Sequence, residues 1–316
     1  MKILITGVAG FIGFSLAKRL LEDNIDVIGI DNLNKYYSKK LKLKRLSILR
    51  KKKKFKFFKI DISREVEIKK FSKNKFTHIF HLAAQPGVRE TKKFPEKYFS
   101  SNEVGFFNIV NNFKENKKIK IFYASSSSVY GDQKKYPSKE SYNLMPKNIY
   151  GITKKHNEEI AEHFSKIYGL KIIGLRFFTV FGEWGRPDML FLKFFKCAKN
   201  GAKFYVHNKG NHYRDFTYIE DVIEVLKSLI SKKISKHEIF NICSSQPKKL
   251  SNIINLLIKM TNFNKIKYLK RQKIESLKTH GSNKKILKLT KHKFKNNFEK
   301  SVNKTYDWYK NYYYLL

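Results

Sequence analysis

The sequence has few cysteines and no long apolar run, and each shortage excludes a class of protein. Only two cysteines, Cys197 and Cys243, occur in 316 residues, without C-x-x-C spacing. The sequence therefore encodes neither a disulfide framework nor a metal site, and we expect both thiols to be buried and reduced. The apolar runs are strand-length, and the N-terminus lacks a signal-peptide pattern. We expect a cytoplasmic protein with no membrane partner.

Acidic residues are also scarce, with 26 against 67 lysines and arginines, which gives a formal net charge of +41. Such a balance is typical of proteins that bind nucleic acid or anionic membranes. The lysines, however, are spread over nearly every segment. The densest run, Lys51 to Lys54, precedes an apparent strand, where a solvated loop is the ordinary structure. We predict a basic surface without a dedicated nucleic-acid partner.

Hydrophobic residues make up 41% of the chain, enough for a sizeable core. Short β-branched runs alternate with helical patterns in the first half, which predicts βαβ units and a doubly wound parallel sheet of the α/β class. After about residue 180, loop residues cluster and the rhythm changes, as in a smaller second lobe. The predicted strands cover residues 2–6, 26–31, 55–61, 77–83, 118–125 and 171–178.

A glycine-rich turn follows the first predicted strand. The segment GVAGFIG has Gly7, Gly10 and Gly13 in G-x-x-G-x-x-G spacing, ahead of an amphipathic run. Glycines permit backbone N–H groups to approach a pyrophosphate at the start of a helix. Asp31 ends the second strand about 20 residues further on, where a carboxylate accepts hydrogen bonds from ribose hydroxyls and repels a 2′-phosphate. The pattern favours NAD over NADP, against the alternative that Asp31 only caps a strand.

Tyr150 and Lys154 form a Y-x-x-x-K pair within a helical stretch. Four residues apart, they share one helix face, and an ammonium beside a phenol lowers the pKa of the phenol. The loop ASSSSVYG, residues 124–131, follows a predicted strand at the edge where doubly wound sheets bind ligands. A serine hydroxyl there can bridge a reacting alcohol and Tyr150. The predicted cofactor residues are Gly7, Gly10, Phe11, Ile12, Gly13, Asp31, Asn32, Asp61, Ile62, Leu82, Ala83, Ala84, Tyr150 and Lys154.

Seven motifs occur along nearly the whole chain in a characteristic order: GVAGFIG, Asp31, HLAAQPGVR, ASSSSVYG, YGITK, RFFTVFGEWGRPDM and RDFTYIEDV. This order resembles that of extended short-chain dehydrogenase/reductases of the NAD-dependent epimerase/dehydratase family, which act on nucleotide sugars. The resemblance implies catalysis by Ser126, the base Tyr150 and its helper Lys154. It also implies a Rossmann domain, residues 1–178 plus 215–245, and a smaller α/β substrate domain, residues 179–214 plus 246–316. Homodimers are common in the family, so we expect one here.

The reaction and the sugar follow from finer resemblances. Ser127 and Ser128 stand where related dehydratases and decarboxylases have acids, which favours simple epimerisation at C4′. Thr179 and the segment WGRPDM resemble UDP-glucuronate 4-epimerases, which implies that Thr179, Arg186 and Arg89 lie near the sugar carboxylate. Arginine matches a carboxylate bidentately, although Arg186 as a plain loop residue stays open. The implied substrate residues are Arg89, Ser126, Ser127, Ser128, Thr179, Arg186, Arg214 and Arg271.

One departure from the family concerns the nucleotide end. Arg214 of RDFTYIEDV is implied to contact the UDP diphosphate. Relatives often read R/Q-x-G-D further on, whereas this chain has Arg271 followed by a segment without the glycine and with the longer acid Glu275. Three alternatives stay open. The first is an epimerase of UDP-GlcNAc, UDP-GlcNAcA or UDP-glucose. The second is a UDP-glucuronate decarboxylase, and the third is a nucleic-acid-binding derivative of the family.

Overall fold

The structure is a computed structural model that describes residues 1–88, 90–234, 236–271 and 274–316. Its strands are β1 (Lys2–Thr6), β2 (Asp26–Asp31), β3 (Phe55–Lys59), β4 (His78–His81), β5 (Lys120–Ser126), β6 (Lys171–Phe177), β7 (Thr179–Phe181), β8 (Phe204–His207), β9 (Tyr213–Tyr218), β10 (Glu238–Ile242), β11 (Pro247–Lys249) and β12 (Ile266–Leu269). Its helices are α1 (Phe11–Glu22), α2 (Lys39–Arg50), α3 (Glu65–Lys69), α4 (Pro95–Tyr98), α5 (Gly105–Asn112), α6 (Ile149–Tyr168), α7 (Leu190–Asn200), α8 (Ile219–Ile230), α9 (Leu250–Thr261), α10 (Lys284–Thr290) and α11 (Phe298–Tyr312).

A parallel sheet forms the larger part of the molecule. In the described chain it has seven strands in the order β10-β6-β5-β4-β1-β2-β3. Every neighbouring pair is parallel. The prediction of an α/β protein with a doubly wound parallel sheet is confirmed. Each of the six predicted strands begins and ends within two residues of an observed strand.

Burial on both faces explains why these strands read as continuous apolar runs. All but the first residue of β1 and of β6 are buried. Helices cover both sides, because α1 and α8 pack together on one face while α5 and α6 pack on the other. With both faces covered, the ends of the strands remain accessible, and in open α/β sheets ligands bind at the carboxyl ends and the loops that follow them.

The smaller lobe is built around two short sheets. One has the order β11-β9-β7, and the other pairs β8 with β12. The chain leaves the large sheet at Phe178, between β6 and β7, and returns to it at β10. The domain division, residues 1–178 plus 215–245 against 179–214 plus 246–316, stays a prediction. Its boundary at 214/215 falls inside β9, which pairs with β7 and β11 of the smaller lobe.

The surface features expected from composition have definite positions. The run from Lys51 to Lys54 is an exposed turn between α2 and β3, as predicted. Cys243 is buried and free, whereas Cys197 is free but only partly buried. Among the described residues, no helix has the length and apolarity to cross a membrane. The same residues contain no cluster of three or more side chains suited to hold a metal ion.

Candidate active site

The glycine turn is packed too tightly for side chains. The backbone of Gly7 has a φ of +70°, a region that favours glycine, and a Cβ there would lie 2.7 Å from the backbone nitrogen of Ala83. A Cβ on Gly13 would lie 2.2 Å from the carbonyl oxygen of Gly7. Helix α1 begins directly after this turn, with Gly10 at its N-cap and no side-chain cap. The N–H groups of its first turn therefore remain available to an anion.

Asp31 ends β2 beside this turn and orders the backbone around it. Its carboxylate accepts hydrogen bonds from the N–H of Ala9 at 3.1 Å and from the N–H of Leu33 at 2.8 Å. Burial raises the pKa of Asp31, against the positive charge of Lys42, these hydrogen bonds and the charge of Arg45. The residue does more than cap a strand, because it links the glycine turn to the loop after β2.

A cavity lies along the carboxyl edge of the large sheet, and we call it the sheet-edge cavity. It joins the glycine turn to the end of β5 and the first turns of α6. Of the predicted cofactor residues, only Asp61 is absent from its lining, and Asp61 accepts a hydrogen bond at 3.1 Å from Asn32, which does line it. The other predicted lining residues are Gly7, Gly10, Phe11, Ile12, Gly13, Asp31, Asn32, Ile62, Leu82, Ala83, Ala84, Tyr150 and Lys154.

Ser126 and Tyr150 meet in this cavity. The Ser126 side chain lies close enough to the Tyr150 phenol to act on its pKa, and the Ser126 hydroxyl accepts the N–H of Ser128 at 3.1 Å. Tyr150 is held on the first turn of α6, where the side chain of Asn148 caps the helix by accepting the N–H of Gly151 at 2.9 Å. Burial raises the pKa of Tyr150, while the Ser126 side chain and the charge of Arg186 act in the opposite direction.

Lys154 follows one turn later, and its nitrogen lies 6.0 Å from the centroid of the Tyr150 ring. The side chain is 1% exposed, and burial lowers its pKa to about 7. The lowering of the Tyr150 pKa by Lys154, expected from the spacing, is not found: burial raises this pKa, and the opposing influences come from Ser126 and Arg186. His81 lies within electrostatic range of Lys154, and burial lowers its pKa to about 3, so His81 is neutral there.

A second cavity, the lobe cavity, adjoins the first and opens towards β8 and β9. Tyr36 and Met189 line both cavities. The predicted substrate residues are thus divided between two connected spaces. Ser126 and Arg186 line the sheet-edge cavity, whereas Ser127, Ser128, Thr179 and Arg214 line the lobe cavity.

Arg186 lies where the two cavities meet. Its guanidinium donates to both carboxylate oxygens of Asp188, at 3.1 and 2.5 Å, and stands 5.7 Å from the centroid of the Tyr36 ring. Burial lowers the pKa of Arg186, but the charge and hydrogen bond of Asp188 outweigh this and raise it overall. Arg186 is therefore a fixed cation within electrostatic range of Tyr150, held by a carboxylate rather than by the backbone.

Arg214, predicted to contact the UDP diphosphate, lines the lobe cavity. Arg214 donates to the backbone oxygens of Tyr213 and Leu277, and its guanidinium lies 3.8 Å from the carboxylate of Glu275. Glu275, the longer acid of the altered motif, also lines the lobe cavity. Arg271 is exposed and is not among the residues lining either cavity. Arg89 lies outside the described residues.

Helix α2 contributes two cations that the sequence analysis missed. Lys42 lines the sheet-edge cavity and donates to the backbone and side-chain oxygens of Asn34, at 3.0 and 2.8 Å. Arg45 is fully buried and donates to the carbonyl oxygen of Ala9 at 2.8 Å and to that of Gly185 at 3.0 Å. The available signal was their i, i+3 spacing, which places them on the helix face that Leu41, Leu46 and Leu49 bury.

The fold and the site together indicate the class of protein to which this chain belongs. A doubly wound parallel sheet with a glycine turn after β1 and a Tyr–Lys helix after β5 is typical of the extended short-chain dehydrogenase/reductases. Residues 3–243 match the model of the NAD dependent epimerase/dehydratase family. The chain belongs to that family.

Two individual relatives and one solved structure show which members of the family this chain resembles. The chain is 37% identical to Protein CapI of Staphylococcus aureus over 333 residues, covering 99% of each protein. It is 39% identical to UDP-glucuronate 4-epimerase 4 of Arabidopsis thaliana over 274 residues, covering 81% of this chain and 62% of that protein. The crystal structure of UDP-glucuronic acid 4-epimerase from Bacillus cereus, in complex with UDP-glucuronic acid and NAD, superposes with a TM-score of 0.93 at 30% identity, covering 98% of this chain and 99% of that one.

Proposed function

We propose that this protein interconverts UDP-glucuronate and UDP-galacturonate by NAD-dependent epimerisation at C4′. The observation that carries the proposal is that Ser126, Tyr150 and buried Lys154 lie together at the end of a cavity that begins at the glycine turn. Serine at positions 127 and 128 supports epimerisation over elimination, because elimination of water needs an acid near the leaving group. The likeness to the Bacillus cereus enzyme supports the choice of sugar.

The sheet-edge cavity fits NAD. A Cβ on Gly7 or Gly13 would collide with backbone, so only glycine lets the turn pack this closely, and the turn and the first residues of α1 line the cavity. Asp31 faces the cavity at the position where a carboxylate favours ribose hydroxyls over a 2′-phosphate. When bound, NAD supplies the acceptor that takes a hydride from C4′ and the donor that returns it.

Side chains of the protein transfer the proton of O4′ in the proposed mechanism. We assign Tyr150, as the phenolate, to removal of the proton from O4′, with the Ser126 hydroxyl bridging the two oxygens. A buried cation favours the phenolate, so Lys154 in its protonated form assists. The 4-keto sugar then turns within the site, and Tyr150 returns the proton to O4′ after the hydride arrives on the other face. The reaction has no net redox change.

A uronate substrate has a possible side reaction, loss of CO2, that neutral sugars lack. Its 4-keto form is a β-keto acid, which loses CO2 readily unless the carboxylate is held away from the geometry needed for that loss. Arg186, fixed by its pair with Asp188, brings a positive charge to this space, and Thr179 adds a hydroxyl from the first residue of β7. We assign these two residues to holding the carboxylate.

The product formed from UDP-glucuronate tests the proposal. The protein loaded with NAD is incubated with UDP-glucuronate and followed by proton NMR, and UDP-galacturonate is the expected product. A pentose product would replace the epimerase proposal by a decarboxylase. Turnover of UDP-glucose or UDP-GlcNAc in preference to UDP-glucuronate would move the assignment to another epimerase.

The remaining expectations concern partners. A homodimer is supported by three exposed apolar side chains on the adjoining turns before and within α5, namely Phe99, Val104 and Phe107. Light scattering coupled to gel filtration tests it, with twice the chain mass as the expected result.

A cytoplasmic location and the lack of a dedicated nucleic-acid partner stay predictions, and binding of RNA at physiological salt would contradict the latter.

A further inference from the structure

Helix α6 carries three chemically different side chains at intervals of four residues. Tyr150, Lys154 and Glu158 therefore follow one another along the face that packs against β5 and β6. Glu158 is 6% exposed. The proposed mechanism uses the first two of these residues and gives the third no part.

The Glu158 carboxylate binds both strands beneath the site. Its Oε1 accepts the Ser125 hydroxyl at 2.5 Å and Nε of Arg176 at 2.9 Å. Its Oε2 accepts Nη2 of Arg176 at 2.7 Å. Ser125 on β5 and Arg176 on β6 are register partners in the parallel sheet, so one carboxylate joins the two strands to α6 where both strands end.

Arg176 extends this contact to the other end of the serine loop. Its Nη1 donates to the Tyr130 hydroxyl at 2.8 Å and to the backbone oxygen of Glu140 at 3.1 Å. The Tyr130 hydroxyl in turn donates to Oδ1 of Asn241 on β10 at 2.7 Å. The loop from 125 to 130, which contains Ser126, is thereby held at both ends through a single buried ion pair.

The charges of this network favour a fixed geometry. Burial lowers the pKa of Arg176, but the hydrogen bond and charge of Glu158 outweigh it and raise the pKa overall. A buried ion pair adds little net stability compared with apolar residues of the same shape, because desolvation offsets the attraction. Its attested use is to specify one arrangement of the groups that it joins.

We infer that Glu158 is a positioning residue for the reaction: through Ser125 and Arg176 it sets the place of the Ser126 hydroxyl relative to Tyr150 on the same helix. This inference rests on the proposed function, since it assumes that the Ser126–Tyr150 pair transfers the proton. Proton transfer is sensitive to such placement, and small displacements of a reacting group reduce turnover strongly without changing binding.

Ser125→Ala is the sharpest test, because it removes one hydrogen bond and leaves the ion pair between Glu158 and Arg176 intact. We expect kcat with UDP-glucuronate to fall about tenfold, while KM and bound NAD stay within about twofold of the wild-type protein. The matched control is Ser165→Ala, which removes a serine hydroxyl from α6 that donates to the backbone oxygen of Leu170. The control should turn over like the wild-type protein.

Two outcomes of this comparison overturn the inference. The first is an unchanged kcat in Ser125→Ala. The second is a fall in kcat matched by an equal loss of bound NAD or folded protein, since a merely structural role gives that result. Glu158→Gln adds a graded check, because glutamine keeps an acceptor for Ser125. Its kcat should lie between those of the wild-type protein and Glu158→Ala, and equal rates in both variants would also count against positioning.

A second measurement does not depend on the substrate. The ionisation of Tyr150 is followed by ultraviolet difference titration of the NAD-loaded protein, with Tyr150→Phe as the blank. Because the Ser126 side chain acts to lower the pKa of Tyr150, displacing Ser126 should raise that pKa in Ser125→Ala. If the wild-type protein fails to turn over UDP-glucuronate, the proposed function is wrong, and this titration alone decides the inference. An unchanged pKa then overturns it.

Discussion

The cofactor end and the substrate end of this site are built in different ways. At the cofactor end, one continuous segment forms strand, turn and helix, and its glycines collide with backbone if a side chain is added. At the substrate end, Tyr36 approaches Asp188 across 152 residues of sequence and Arg214 approaches Glu275 across 61. Local geometry therefore governs the first region, and the packing of distant loops governs the second. The two regions should respond differently to mutation.

The largest effect on activity is expected at Tyr150, between the cofactor end and the substrate end of the site. Tyr150→Phe removes the proposed base, so kcat should fall by about two to four orders of magnitude, the usual contribution of general acid–base catalysis. Binding of UDP-glucuronate, measured by calorimetry, should change little. The control is Tyr168→Phe, at the last residue of the same helix. Activity near the wild-type level in Tyr150→Phe would sink the assigned base.

At the cofactor end, one added methyl group should be enough to weaken NAD binding. Gly13→Ala places a Cβ 2.2 Å from the carbonyl oxygen of Gly7, so the turn must open. We expect the affinity for NAD to fall about a hundredfold, equivalent to roughly 3 kcal/mol of lost binding. Fluorescence titration with NAD measures it.

Gly169→Ala is the control for this variant. Gly169 also has a positive φ, of +68°, but has open space around the position of a Cβ. The control should lose a little stability and no NAD affinity. Equal NAD affinity in the wild-type protein and Gly13→Ala would show that close packing of the turn is not what binds the cofactor.

At the substrate end, an exchange of one cation for another should alter selectivity. Arg186→Lys keeps the charge but loses the planar fork that pairs with Asp188, so the cation is no longer fixed and kcat/KM for UDP-glucuronate should fall about tenfold. NAD affinity should hold. Competition between UDP-glucuronate and UDP-glucose provides the readout, and an equal loss with both sugars would contradict a contact to the carboxylate.

The last expected effect is gradual, because it is a slope of stability against pH. Burial lowers the pKa of Lys154 to about 7 in the folded chain, from an ordinary 10.5. Between these values the unfolded chain binds a proton that the folded chain does not, so the free energy of unfolding rises with pH across that window. The slope contributed by one proton is at most about 1.4 kcal/mol per pH unit.

Urea unfolding of the protein and of Lys154→Met, repeated from about pH 7 to about pH 10, isolates this slope. The variant should lack the rise that Lys154 contributes. Lys155→Met, a change at the next position of the helix, should keep it. Parallel curves for the wild-type protein and Lys154→Met would mean that Lys154 is not neutralised on folding.

The same contrast explains what could be predicted from the sequence. Asp31, the glycine turn and the Tyr150–Lys154 pair lie within single elements whose periodicity and spacing are visible in the chain, and the six predicted strands matched to within two residues. Arg45 could not be assigned, because its acceptors on Ala9 and Gly185 lie 36 and 140 residues away.

The prediction for the Tyr150 pKa failed for a related reason. Spacing places Lys154 near the phenol, but it says nothing about how deeply both are buried. Burial raises the pKa of Tyr150 and lowers that of Lys154. Likewise, the carboxylate partner of Arg186 was two residues away in the sequence, yet only the folded loop shows that the two side chains pair.

The central claim is that the hydride removed from C4′ returns to the same carbon on the opposite face. UDP-glucuronate labelled with deuterium at C4′ tests it directly in water, with the product examined by NMR and mass spectrometry. The expected product is UDP-galacturonate that retains the deuterium at C4′. Loss of the label to solvent, or a product without its carboxylate, would contradict it.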